Sequence, residues 1–327
     1  MKSFPTAESL IETHGTVFHQ RWWNEITAGN SYREACVEQG GSVIGVLPYI
    51  ETGARPFKRI GMPALSHVLG PVFARPTHDD AKSCTGSIAI TRALLEQLPD
   101  AMHVFFRLHV DIRNSLAFQM ASFETSTDYT ICIPAASDDV LWRGMRDKTR
   151  NVIRRASDVL TVQPGTASDF VDFYEHNLAA AGKTNAYSGS MLREAVAAAI
   201  ARSQGQAIMA CDGRGEPQAA IFTLWDKHRE YYLLSTRRPS SMAGANSFAI
   251  WHAVQHAARN GRIFDMDGIH VVENKSPNLL LFSGFGGSIV PRVTVKRTSC
   301  IGRSLFNVRA ELRHMTNAIR SIRLKSR

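Results

Sequence analysis

Apolar and polar positions along this chain follow two periods, and the changes between them mark its elements. YREACVEQGGSVIGVLPYIE (32–51) has β-branched and apolar residues on either side of Gly40-Gly41 and predicts strand, turn, strand. QAIMACDGRGEPQAAIFTLWDKHREYYLLSTRR (206–238) predicts three strands, joined at Asp212-Gly213 and at the charged turn Asp226 to Glu230. Each region is followed by a helical pattern and another strand: TRALLEQL then HVFFRLHV in the first, NSFAIWHAVQHAARNG then RIFDMDGI in the second. One layout used twice predicts an internally duplicated α/β architecture.

DYTICIP closes the first unit, and Pro134 to Asp139 forms a short polar link. Beyond it, Trp142, Met145, Thr149, Val152, Ile153 and Ala156 recur at three-to-four spacing and predict one helix with a buried face. Arg143, Arg146, Arg150 and Arg154 form a cationic stripe at the same spacing. A further helix is expected from Ser168 or Asp169 to Gly182. At the end of the chain Leu305, Val308, Leu312, Met315, Ile319 and Ile322 form an apolar stripe flanked by Arg309, Arg313, Arg320 and Arg323. The organisation expected is therefore a lobe over 1–136, a lobe over 137–302, and a basic amphipathic helix over 303–327 packing on them.

Composition narrows the class. A chain of 327 residues, 44% hydrophobic and 20% charged, can build more than one core. Its net charge of +9 attracts polyanions such as nucleic acid, anionic lipid or phosphorylated ligands, without choosing among them. Cys36, Cys84, Cys132, Cys211 and Cys300 are scattered, odd in number and free of C-x-x-C pairs, which suits a reducing compartment. The N-terminal segment lacks the unbroken apolar run of a signal peptide, and no segment approaches the ~20 apolar residues of a membrane span. A cytoplasmic protein is expected, with the basic tail offering peripheral contact with the inner membrane face.

The blocks W-x-x-M-x-x-K-x-R-x-x-I-R-R-A (142–156), CDGRGEPQAAIFTLW, YYLLST, FAIWHAVQHAARNGRIFDMDG and LLLFSGFGG, in this order over residues 140–297, resemble the FemABX-like branch of the N-acetyltransferase (GNAT) superfamily, more narrowly its CelD/BcsL or BioF2-like group. Residues 1–135 fit through layout alone. The resemblance implies an α/β fold of two tandem GNAT-like lobes with mixed central sheets. It also implies acyl transfer to an amine from a thioester, acyl-CoA or acyl carrier protein, or in an alternative from charged tRNA. The expected acceptor is a small-molecule, glycan-linked or lipid-linked amine. A catalytically inert module that binds an anionic polymer is the reading from another class.

Both donors carry phosphates, so Arg146 and Arg150 on the basic helix are candidate donor contacts. In the superfamily, donor pyrophosphate meets a Gly-rich turn at a helix start; here RRPSSMAGANSF offers Gly244, Ala245 and Asn246, with Arg237 and Arg238 just before, in a looser pattern than usual. Asp265 and Asp267 alternate on one face of the strand FDMDG, and amide formation needs a base or water relay to free the amine. Asp267 is the first choice because Gly268 follows and turns the chain out of the sheet; His270 is a second base candidate. Tyr231 and Tyr232 point to opposite faces, and Tyr231 is a candidate to protonate the departing thiolate. Ser283 stands where many relatives have Lys, which argues against the peptidoglycan-peptide ligase mechanism; Lys275, nearby in sequence, is no assured replacement. His252 and His256 are four apart on a helix, but Ala253 stands where H-E-x-x-H has its Glu, and no metal is expected.

Overall fold

The structure is a computed structural model and describes residues 6–74, 81–269, 276, 278–299 and 302. The expectations for His270, Lys275, Cys300 and the tail from 303 fall outside those residues.

In the first half α1 (Ala7–His14), a 3-10 turn (Val17–His19) and α2 (Arg21–Ala28) precede the hairpin β1 (Tyr32–Gln39) and β2 (Ser42–Thr52). Then come β3 (Arg59–Gly61), β4 (Val72–Phe73), α3 (Ala81–Glu96), β5 (His103–Arg107), α4 (Leu116–Met120) and β6 (Glu124–Ile133). The second half runs α5 (Asp138–Gly144), α6 (Asp147–Ser157), β7 (Leu160–Gly165), α7 (Ala167–Ala180), α8 (Gly189–Ala201), β8 (Gly205–Asp212), β9 (Pro217–Trp225) and β10 (Arg229–Arg237). It ends with α9 (Ala245–Arg259), β11 (Ile263–Gly268), α10 (Leu279–Phe282), a 3-10 turn (Ser283–Phe285) and β12 (Ser288–Thr298).

All of these strands join one mixed twelve-stranded sheet in the order β1-β2-β3-β5-β12-β6-β11-β10-β9-β8-β7, with β4 on β2. The two halves exchange strands at its centre. β12, from the second half, pairs with β5, while β6, from the first, pairs with β11. The sheet is therefore continuous across the polar link near residue 136.

Each half contains one parallel pair that meets briefly and then diverges. β3 meets β5 at Arg59↔His103 and Ile60↔Val104; β10 meets β11 from Arg229↔Ile263 to Tyr231↔Asp265. In the first half the gap is filled by the chain itself, since Leu69 N donates to Arg107 O at 2.8 Å and Leu65, Val68 and Leu69 are buried. That filling segment carries His67 towards the second half.

Helices cover both faces of the second half's sheet. α9, with α5 and α6, packs Phe248, Ile250, Trp251, Ile153 and Met145 onto one face. On the other, α7 and α8 bury Phe170, Leu192 and Val196 together with Val17, Phe18 and Trp23 from the first half. The first half keeps its own core around Leu47, Val104, Phe106 and Phe118.

Two helix boundaries correct the sequence reading. The single helix expected over 142–156 is two: Met145 and Arg146 are extended, with ψ of 156° and 143°. Gly144 is a weak helix former that ends α5, and Asp147 favours the first turn of α6. The helix expected from Ser168 or Asp169 starts at Ala167 instead, because Thr166 and Asp169 form a reciprocal capping box. Among the described residues no helix is long and apolar enough to cross a membrane.

Candidate functional site

β10 and β11 part after Tyr231 and Asp265, so beyond that point the β11-facing edge of β10 has no strand partner. On the opposite edge a bulge between Tyr232 and Leu234 interrupts the ladder to β9. The loop after β10 then leads to α9, whose N-cap is Gly244 in the left-handed conformation at φ 85°. A Cβ there would meet Val152 Cγ1 at 2.8 Å and Val152 O at 2.9 Å, so Gly244 is what lets α6 lie against the start of α9. Ala245 N donates to Met242 O at 3.2 Å, but no side chain caps α9 and no acid sits in its first turn, so the N–H groups that follow and the helix dipole are available to an anion.

On this face the Tyr232 phenol is buried and pushed up by that burial, while Ser235 and Asn246 beside it act in the other sense. Its ring meets Phe282 at 5.7 Å. Asn246 Oδ1 and Ser283 Oγ are buried without a hydrogen-bond partner, leaving polar atoms unmet near the mouth of the divergence.

The basic stripe is largely occupied. Arg150 Nη1 donates to the carbonyls of Met145 (2.6 Å) and Arg143 (3.1 Å) at the end of α5, and its guanidinium also pairs with Asp147. Arg143 pairs with Asp139 at 3.5 Å, and Arg154 bonds Asn151 at 3.0 Å. Arg146, exposed at the N-cap of α6, anchors its backbone N–H on Gly284 O at 3.0 Å and keeps its side chain outward. Arg237 is exposed at the end of β10; Arg238 pairs with Glu216 at 2.7 Å.

Across the sheet lies a cluster of charged groups built by both halves. Asp265 is 1% exposed; Arg292 Nη2 stands 2.6 Å from each of its oxygens, and Thr130 Oγ1 lies 2.5 Å from Oδ1. Burial pushes the Asp265 carboxyl up, but Arg292, Thr130 and His67 together outweigh it and hold it below the usual carboxylate range. It is a buried carboxylate paired with Arg292.

Asp267 differs. Its backbone takes φ 71°, rare outside glycine, and Thr130 Oγ1 lies 2.7 Å from its carbonyl. Its carboxylate is 25% exposed, 3.5 Å from His67 Nε2 and 3.9 Å from Arg292 Nη1. His67 is buried and held below its ordinary value, first by desolvation, with Asp267 acting in the opposite sense. Tyr187, between α7 and α8, is raised by burial and then by the Asp267 charge, which brings it to the same place. Asp267 is thus the solvent-reachable member of the cluster, at the point where β11 has left β10.

Tyr231 lies on this face too, but it is fully buried and its hydroxyl donates to Asp226 Oδ2 at 3.1 Å, away from the divergence. Of the histidine pair, His256 Nδ1 is 2.7 Å from buried Glu230, and His252 packs edge-on against Phe248. Among the described residues no group of three or more His, Cys, Asp or Glu could hold a metal ion.

The structure therefore brings Asp267, Asp265 and Tyr231 to one face and Gly244, Ala245 and Asn246 to the other. Sequence reading missed His67, Arg292, Thr130 and Tyr187. His67 lies in an aperiodic loop and Arg292 in a strand whose neighbour across the exchange is known only from the fold, so no local signal marked them.

Residues 143–269 match the family described as an acetyltransferase (GNAT) domain. The fold is similar to that of FemX (TM-score 0.67, 12% identity, 92% of this chain and 96% of that one). It is also similar to L-PGS from Bacillus licheniformis (TM-score 0.57, 10% identity, 94% and 97%). At these identities the likeness speaks to fold. No curated protein matches the sequence significantly.

Proposed function

We propose that the protein is an N-acyltransferase that moves an acyl group from a thioester to an amine, a reading supported by the match of residues 143–269 to an acetyltransferase (GNAT) domain and by the likeness of the fold to that of FemX. The donor is acyl-CoA or acyl carrier protein, and the acceptor an amine of an envelope, polysaccharide or lipid precursor. The carrying observation is the divergence of β10 and β11, with an uncapped helix start on one face and a partly exposed carboxylate, Asp267, on the other.

In this reading the donor's phosphates lie at Gly244 to Asn246, the exposed Arg146 and Arg237 add charge, and its thioester enters the gap. The unpaired edge of β10 offers backbone N–H groups to the carbonyl oxygen as it gains charge. The acceptor enters past Tyr187 and His67. Asp267 takes a proton from the ammonium, and the freed amine attacks the carbonyl carbon. The C–N bond forms and the C–S bond breaks. Tyr232, kept protonated by burial, gives its proton to the thiolate and regains one from the nitrogen as the amide forms; the proton on Asp267 leaves to solvent.

Calorimetric titration with acetyl-CoA, longer acyl-CoAs and acyl carrier protein tests the donor. Saturable binding of any of them, weakened by changes at Gly244, supports the reading. Binding of charged tRNA alone would favour aminoacyl transfer, and binding of an anionic polymer alone an inert module.

A further inference from the structure

The two solvent-facing edges of α6 differ in charge. Asp147, Arg150, Asn151, Arg154 and Asp158 recur at three-to-four spacing and settle one another: Arg150 pairs with Asp147, and Arg154 bonds Asn151 at 3.0 Å. Lys148, Val152, Arg155 and Val159 recur at the same spacing and form the neighbouring edge, which holds no acid. Lys148 and Arg155 are both exposed, and among the described residues neither has a hydrogen-bond or ion-pair partner.

The acid-free edge runs beside the start of α9. Val152 is the residue whose Cγ1 and carbonyl would meet a Cβ at Gly244, so Lys148 and Arg155 stand one turn to either side of that contact. Two apolar side chains are exposed with them. Val159, one turn beyond Arg155, is 49% exposed, and Met242, two residues before Gly244, is 37% exposed. At the rise of an α-helix, the edge from Lys148 to Val159 extends about 16 Å.

Unpartnered cations interleaved with exposed apolar groups suit an acidic protein surface, because protein interfaces combine apolar contact with complementary charge. A nucleic acid would be met by cations throughout. The donor's phosphates are already assigned to Gly244 through Asn246, and an edge about 16 Å long beside them is more than a phosphate-bearing arm needs. We infer that the Lys148–Arg155 edge of α6 is a docking surface for an acyl carrier protein, whose acidic face lies along the edge while its phosphopantetheine arm enters at Gly244. This rests on the acyltransferase reading and decides its donor, a carrier protein rather than coenzyme A.

Fluorescence anisotropy of a labelled acyl carrier protein, titrated with the full chain, tests it in two forms: acetylated on its arm, and apo, without the arm. Both should bind, the acetylated form more tightly. Lys148→Glu and Arg155→Glu should each weaken both forms about 10-fold. Arg154→Glu makes the same charge change one residue away on the other edge, and its effect should stay within about 2-fold. Acetyl-CoA affinity, measured by calorimetry, should be the same in all three variants. Equal melting temperatures verify folding; where one falls, Lys148→Gln or Arg155→Gln replaces the reversal and should weaken the carrier about 3-fold.

Equal losses of carrier binding in Arg154→Glu and Arg155→Glu would reduce the effect to net charge and overturn the docking edge. So would an acetyl-CoA affinity that falls in step with carrier affinity, absence of binding by both carrier forms, or tighter binding of uncharged tRNA or anionic vesicles with the same dependence on Lys148 and Arg155. Failure of the acyltransferase reading has a different signature: acetyl-CoA would not bind and the arm would add nothing to the affinity of the apo carrier, and the assignment of the partner would fall with it.

Discussion

His67 Nε2 stands 3.5 Å from Asp267 Oδ1 across the join between the two halves, the histidine delivered by the loop that fills the first half's own strand gap. Its Nδ1 is buried with no partner. The neutral ring can therefore support the carboxylate through an Nε2 proton while leaving it unprotonated and able to accept a proton from an amine. One half of the duplicated chain thus closes its own gap and equips the other's.

Replacing Asp267 by Asn removes the proton acceptor but keeps a side chain that tolerates the left-handed backbone. The expected outcome is a fall in kcat of about 10²–10⁴-fold, with acyl-CoA affinity and melting temperature near those of the unaltered protein. Steady-state kinetics beside calorimetry would measure this. A loss of donor affinity equal to the loss of rate would remove Asp267 from proton transfer.

Stability should fall as pH drops from ~6.5, the ordinary value for histidine. His19 and His67 are both held below that value by burial, so in this window the unfolded chain binds protons that the folded one refuses. The stabilisation is complete above the unfolded value and is lost as pH falls towards the folded ones, about 3 for His19. Each contributes a slope of up to about 1.4 kcal/mol per pH unit. Urea midpoints at pH 7, 6 and 5 should decrease, and His67→Gln should flatten the decline; midpoints constant across this range would contradict the burial argument.

Arg292→Met should cost about 3–5 kcal/mol, because it leaves the Asp265 carboxylate 1% exposed with Thr130 as its remaining close side-chain donor. Adding Asp265→Leu should recover a large part, since replacing both members of a buried pair removes the desolvated charge. Urea unfolding of the two single variants and the double variant gives the coupling. Additive losses would mean that the pair is not the unit that holds β11, β6 and β12 together.

The duplicated layout was legible because hairpins, Gly turns and helix periods are local signals, and the strands of the second unit formed where their pattern placed them. The place of Asp267, an acid just before a Gly at a strand end, was legible for the same reason. What local pattern could not carry was the exchange of β6 and β12, and with it the meeting of Asp265 with Arg292 and of Asp267 with His67. The cationic stripe misled differently: its spacing assumed one helix, but the break at Met145–Arg146 turns Arg150 back onto the carbonyls of α5.

The two adjacent tyrosines should separate by phenotype. Tyr231 spends its hydroxyl on Asp226 inside the core, so Tyr231→Phe should lower stability by about 1–3 kcal/mol with little change in kcat. Tyr232 faces Asn246 and the start of α9, and Tyr232→Phe should slow thioester cleavage by about 10²-fold. The slowing should shrink with donors whose thiol is more acidic, since a better leaving group needs less protonation. Equal sensitivity for acidic and ordinary thiols would show that Tyr232 does not act on the sulfur.

Gly244→Ala tests the donor side. The new methyl would face Val152 Cγ1 at 2.8 Å and Val152 O at 2.9 Å on a backbone at φ 85°. The left-handed conformation alone costs an alanine about 1–2 kcal/mol, and relief of the contact requires α6 to move away from the start of α9. Two consequences are expected together: a lower melting temperature, and acyl-CoA binding weakened about 10-fold or more as the leading N–H groups of α9 lose their position. Val152→Ala in the same chain takes away the Cγ1 contact but not the backbone one, so it should restore part of the stability. If the double variant regains stability without regaining affinity, the left-handed turn itself positions the helix start. If the single variant loses stability and keeps full affinity, the donor's phosphates lie elsewhere.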